Sequence, residues 1–179
     1  LAREGQVFHF ERFGLANIES GKPMELDSIC RIYSMTKPIT SVAVMMLYEE
    51  GLFQLDDPIA DYIPAFAEMA VDIPGDEARS EPAQRPITIH HLLTHTSGLT
   101  YGFSEDSRVG ALYKEHKVDF HPRSGSLEEV VGRLAALPLV CHPGQAWNYS
   151  VSIDVLGRFV EILTGQTFDR FLEDRIFAP

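Results

Sequence analysis

Ser34 and Lys37 stand three residues apart, the spacing that makes two side chains neighbours on a helix. A serine hydroxyl is a weak nucleophile and needs an adjacent base. Lysine can be that base when burial or a nearby cation lowers its pKa. The chemistry that fits is attack of serine on a carbonyl carbon, with lysine handling the proton. A helix N-terminus at this place would favour negative charge, and the Ser34 amide could help hold the oxyanion of a tetrahedral intermediate. The bland alternative is an N-cap serine and a solvated lysine, because Ser-x-x-Lys recurs by chance.

Other chemistry-bearing residues are weaker. His91 and His95 are four apart, a spacing that can hold zinc on a helix face. The glutamate of His-Glu-x-x-His is lacking, so no metal site is expected. His116, His121 and His142 lie in loop-like contexts and read as surface residues. Glu49-Glu50 and Asp56-Asp57 could be paired carboxylates for acid–base work. Their places at a helix end and before a proline favour solvated caps. Cys30 and Cys141 sit among apolar neighbours and read as two buried free thiols.

The element that must carry Ser34 and Lys37 is a helix. Ile39, Val42, Ala43, Met46 and Leu47 recur at helical spacing, and Gly51 is a stop. Proline is tolerated only in a helix's first turn, so Pro38 fixes the start at about Ser34. Upstream, residues 6–15 and 28–33 read as an antiparallel pair of strands around a turn at 19–23. Two strands are not a stable sheet alone, so helices or further strands must cover them. Residues 56–63 read as a short helix and 72–86 as a surface loop. Thr88 caps a helix through Leu92 and Leu93. Residues 101–125 give no assignment. Ser126 and Glu129 form a capping box for a helix with Leu127, Val130, Val131 and Leu134 on one face. Residues 152–163 form another amphipathic helix ended by Gly165, and Thr167 caps a last one.

The 179 residues, 45% hydrophobic and 23% charged, fit one globular domain. The net charge of −11 and the lack of a Lys/Arg cluster exclude a nucleic-acid binder. No apolar run is long enough to span a membrane. No signal pattern opens the chain, which favours the cytoplasm. The chain begins with Leu1 and reads as cut from something longer.

Three segments in order sharpen this reading. Residues 31–41 (Arg-Ile-Tyr-Ser-Met-Thr-Lys-Pro-Ile-Thr-Ser) with 51–58, then 91–99 (His-Leu-Leu-Thr-His-Thr-Ser-Gly-Leu), then 143–151 (Pro-Gly-Gln-Ala-Trp-Asn-Tyr-Ser-Val) resemble the serine β-lactamase and penicillin-binding-protein superfamily. The resemblance implies an α+β fold, an antiparallel sheet with a helical region, in one catalytic domain over residues 1–179. Within it, 1–57 would be sheet edge plus nucleophile helix, 58–150 a mostly helical region and 151–179 the C-terminal helices.

Carried over residue by residue, the resemblance implies Ser34 as nucleophile, Lys37 as its proton partner and Tyr149 as the phenol that joins the lysine. Trp147 and Val151 are candidate substrate-binding residues, with the core as the favoured place for Trp147. Phe103 could line the cleft or the core. Where class C β-lactamases carry an Asn that binds the substrate's amide, this chain has Val151, which cannot make that hydrogen bond. The pattern is similar to the family VIII carboxylesterases. The expected activity is hydrolysis of a small-molecule carboxylic ester through an acyl-enzyme, with no cofactor and an oligomeric state that the sequence leaves open. The alternatives are a β-lactamase or D-alanyl-D-alanine peptidase, an acyltransferase, and a non-catalytic scaffold. The superfamily's third motif and the C-terminal strand carrying it are absent from the chain, so a fragment is expected.

Overall fold

Pro38 does set where the first helix begins. In the computed structural model, which describes residues 1–73, 75, 79–103, 107–118, 120 and 124–178, α1 runs Thr36–Glu49. A single 3₁₀ turn, Tyr33–Met35, precedes it. Pro38 thus lies in the first turn, where its missing N–H costs no helical bond. Thr40, Ala43, Val44 and Leu47 are buried, spaced as one helical face.

The chain divides into two compact units, Leu1–Met35 and Thr36–Pro179. The first holds two antiparallel pairs. β1 (Ala2–Arg3) joins β2 (Gln6–Val7), and β3 (Leu15–Asn17) joins β4 (Lys22–Pro23). The expected strand 6–15 survives only at its ends, and 28–33 is not a strand. The reason is that a strand persists only where a neighbour completes its ladder. Here each ladder is two or three residues long, and Val7, Phe8, Phe10 and Phe13 stay exposed. An Arg12–Glu25 ion pair ties the unit.

The second unit has a helical core. α5 (Ser152–Thr164) packs on α1, α2 (Ile89–Leu93), α4 (Leu127–Ala135) and α6 (Phe168–Leu172). Its apolar face buries Ile153, Val155, Leu156, Phe159 and Val160. Phe159 meets Phe53 and Tyr62 edge-on, an arrangement aromatic quadrupoles favour. Gly165 ends α5 at φ +68, the left-handed cap that glycine adopts without a Cβ penalty.

Two of the three predicted caps bond as expected, while Thr167 stands at the N-cap of α6 without a side-chain capping bond. Thr88 accepts from the His91 amide, and Ser126 forms its capping box with Glu129. The 56–63 helix is instead two 3₁₀ turns, Ile59–Asp61 and Pro64–Phe66. Pro64 opens the second, and its ring cannot sit inside a continuing helix. The 72–86 loop contains a hairpin, β5 (Ala70–Asp72) with β6 (Ser80–Pro82). Within 101–125 lies α3, Arg108–Glu115, capped by Ser107. Its Arg108 pairs with Asp72 of β5.

Both cysteines are free, but Cys30 is exposed and Cys141 half-buried, so neither is the fully buried thiol expected. Glu50 pairs with Arg175 at 2.6 Å, and Asp57 accepts from the Gln54 amide and the Tyr62 hydroxyl. These carboxylates cap and brace. His116 is exposed. His142 is not a free surface group, since its Nε2 pairs with Glu81 at 2.9 Å and its Nδ1 accepts from the Gln84 amide. His121 lies outside the described residues.

Candidate active site

The first turn of α1 carries Lys37, whose ammonium sits against two phenols. Its Nζ donates to Tyr101 Oη at 3.0 Å. It lies 4.7 Å from the centre of the Tyr149 ring and 5.6 Å from that of Tyr101. The rings themselves are 5.5 Å apart. A cation over an aromatic face is attracted by the ring quadrupole. The sequence pairs Lys37 with Tyr149 only through a family resemblance; the structure puts the two in contact. Tyr101 is the member that spacing could not reveal. Its signal is its position, just after the 91–99 segment in a stretch that gives no secondary-structure pattern.

Charge follows geometry. Burial alone would lower the Lys37 pKa, but the hydroxyls of Tyr101 and Tyr149 outweigh it and the net direction is up. This corrects the expectation of a lysine depressed towards neutrality. At neutral pH Lys37 is an ammonium. Burial likewise raises Tyr101, helped by Asp154 and Tyr149 and opposed by Lys37, so Tyr101 remains a neutral phenol.

Main-chain bonds between two loops place the tyrosines. The Asn148 amide donates to His95 O at 2.8 Å, Gly144 to Thr96 O at 2.7 Å, Val140 to Gly98 O at 2.8 Å and Val151 to Thr100 O at 3.2 Å. The Asn148 side-chain amide donates to Leu99 O at 2.6 Å. Residues 95–100 and 140–151 are thereby clasped, with Tyr101 and Tyr149 carried on the two sides. Gly98 is required here. Its φ is +84, and a Cβ would fall 2.2 Å from Cys141 O, far inside van der Waals contact.

Asp154, in the first turn of α5, is a further group that sequence reading passed over. Its signal is a carboxylate set between the core residues Ile153 and Val155. Burial raises its pKa to about 6, and Lys37 acts against that rise. The folded state therefore holds this proton more tightly than the unfolded chain, whose value is near 3.8. Stability from this group is present below that lower value and is lost as pH rises through about 6. Asp154→Asn is expected to gain about 1–3 kcal/mol at pH 7, a rise of several degrees in melting temperature. The gain should vanish near pH 4. Thermal melts of both proteins across pH 4–8 check this, and a loss of stability at pH 7 would refute it.

Ser34 lies in the first unit, exposed, in the 3₁₀ turn that leads into α1. Tyr33 before it has φ +45, a left-handed conformation that costs a bulky residue free energy and is often found at functional sites. Trp147 is 68% exposed, not in the core. It stacks on Tyr149 at 6.3 Å. Phe103, 71% exposed, stacks on Tyr101 at 4.7 Å. Val151 is fully buried at the N-cap of α5. It offers no surface to a substrate, because the turn into the helix directs it to the core. His91 and His95 use Nδ1 to accept backbone N–H groups of Thr88 and Ser150.

Comparison with known proteins gives the family and the fold. The family model described as Beta-lactamase matches residues 1–179. Esterase EstB of Burkholderia gladioli is 40% identical over 181 residues, covering 100% of this chain and 43% of the relative. Acyltransferase mokF of Monascus pilosus is 35% identical over 161 residues, 88% of this chain and 37% of the relative. The solved structure described as "EstCE1, a hydrolase with promiscuous acyltransferase activity" superposes with a TM-score of 0.82 at 29% identity, over 99% of this chain and 44% of that one. The chain thus spans less than half the length of these relatives. With a β-lactamase/transpeptidase-like fold and Lys37 held against two tyrosines, this chain belongs to the Beta-lactamase family.

Proposed function

We propose that the protein is a serine hydrolase that cleaves small carboxylic esters through an acyl-enzyme on Ser34. The observation that carries this reading is the Lys37 ammonium held on two phenols, three residues after a serine in a strained turn. Ser34 Oγ attacks the ester carbonyl. Its proton passes to the Tyr149 oxygen, whose phenolate form the Lys37 ammonium stabilises. The same proton is returned to the departing alkoxide, which leaves as the alcohol. Water then repeats the sequence and frees the acid. Tyr101, held neutral by burial, orients Lys37. No step calls for a metal or organic cofactor.

The buried Val151, where class C enzymes carry an amide-binding Asn, favours esters over β-lactams and peptides. An acyltransferase is the second reading, favoured by the names of two of the relatives. In that case an alcohol in place of water takes the acyl group. Among the described residues no helix is long and apolar enough to cross a membrane. The substrate is proposed as a small molecule.

The test is the reaction of the full chain with a p-nitrophenyl ester of a short acid. A burst of p-nitrophenol proportional to enzyme, with one acyl group found on the peptide carrying Ser34, is expected. Added alcohols that convert product acid into ester would assign the acyltransferase instead. A protein neither acylated nor turning over would be the scaffold, or would need the superfamily's third motif for its chemistry, and acylation at a residue other than Ser34 would refute the assignment.

A further inference from the structure

His95 joins the two halves of the clasp by its side chain as well as its backbone. Its Nδ1 lies 3.3 Å from the Ser150 amide nitrogen and 3.2 Å from Ser150 Oγ. Ser150 Oγ lies 2.7 Å from Ser152 Oγ, which is 2.8 Å from Ser97 Oγ. The Leu99 amide donates to Ser97 Oγ at 3.2 Å, and the Ser152 amide to Ser150 Oγ at 3.4 Å. All three serines are buried. The imidazole also lies 4.9 Å from the Tyr149 ring.

Donor and acceptor accounting fixes where the protons go. An amide N–H can only donate, so Nδ1, which faces the Ser150 amide, carries no hydrogen. The neutral ring then holds its proton on Nε2. Three buried hydroxyl protons each need an acceptor. If Ser97 donates to Ser152, Ser152 to Ser150 and Ser150 to Nδ1, every proton is placed. In the reverse order the Ser97 proton needs another acceptor, and the described residues supply none.

We propose that His95 is a positioning residue whose unprotonated Nδ1 ends this buried hydroxyl row and, through Ser150, fixes the adjoining Tyr149 phenol against Lys37. Burial, and after it the charge of Lys37, hold the imidazole below its ordinary pKa, in line with a neutral ring. The part played in turnover rests on the esterase reading above; the tautomer does not. The competing view is a histidine kept only to fill a turn at φ +55.

His95→Asn and His95→Gly separate the two. Both residues tolerate the left-handed backbone, but only asparagine keeps an acceptor near the Nδ1 position. In the full chain, H95G is expected to lose about 30-fold or more in kcat on a p-nitrophenyl ester with KM within about threefold. H95N should keep roughly a third or more of the wild-type kcat. A two-bond ¹H–¹⁵N spectrum of the wild type at neutral pH should show Nδ1 unprotonated, and needs no variant to fold. Equal activity of H95G and H95N, or a protonated Nδ1, would overturn the proposal. A wild type without esterase activity would refute the proposed reaction instead, and the spectrum would still decide the tautomer.

Discussion

Ser34→Ala should lower turnover of a p-nitrophenyl ester by on the order of 10⁴-fold or more, the scale on which removing an attacking hydroxyl acts. The burst should vanish with it. The loss comes from chemistry and not from folding. Ser34 is exposed in a turn, and serine to alanine at an exposed site changes stability by about 0.5 kcal/mol or less. The melting temperature should therefore stay within a degree or two of wild type. Steady-state rates, burst amplitude and a thermal melt of the two proteins settle the point together. A variant that keeps a tenth of the wild-type rate would remove Ser34 from the mechanism, whatever its fold.

The second large effect separates two tyrosines that the geometry places almost alike. Phenylalanine keeps the ring, its volume and its attraction for the Lys37 ammonium, and removes only the hydroxyl. Tyr149→Phe should cost about 10²–10³-fold in kcat, the range for losing a group that moves a proton in the transition state. Tyr101→Phe should cost about tenfold. It loses the 3.0 Å bond that aims Lys37, and a hydrogen bond to a charged group is worth about 1.5–3 kcal/mol. Part of that aim survives in the contact with Tyr149. Measuring kcat for both variants at several pH values decides between them. If Tyr101→Phe is the more damaging, the phenols have exchanged roles.

Legibility followed sequence distance. Pro38, Thr88, the Ser126–Glu129 box and Gly165 could be read because each acts within a turn or two of itself. The strand expected at 28–33 is not formed, because a ladder depends on a neighbour elsewhere in the chain. The proton pair shows the same divide. Ser34 and Lys37 are neighbours in sequence, so their pairing can be proposed from spacing. Tyr149 came only from the resemblance of 143–151 to a family pattern. Tyr101 and Asp154 owe their chemistry to burial beside Lys37, which no local spacing encodes. Trp147 lies outside the core expected for it, because an aromatic between an alanine and an asparagine looks the same whether a loop turns it inward or outward.

The clasp between residues 95–100 and 140–151 is built mostly from peptide N–H and carbonyl groups, which every residue except proline supplies in full. Apart from Asn148, His95 and the buried serines, side chains along it are therefore released from the task of holding the loop. Trp147, exposed beside Tyr149 and not a donor in that array, touches the phenol by stacking, so its replacement leaves the hydrogen bonds of the clasp in place. On the esterase reading proposed above, single substitutions there would diversify what is accepted next to the proposed reacting groups, and laboratory evolution of selectivity would begin at that residue.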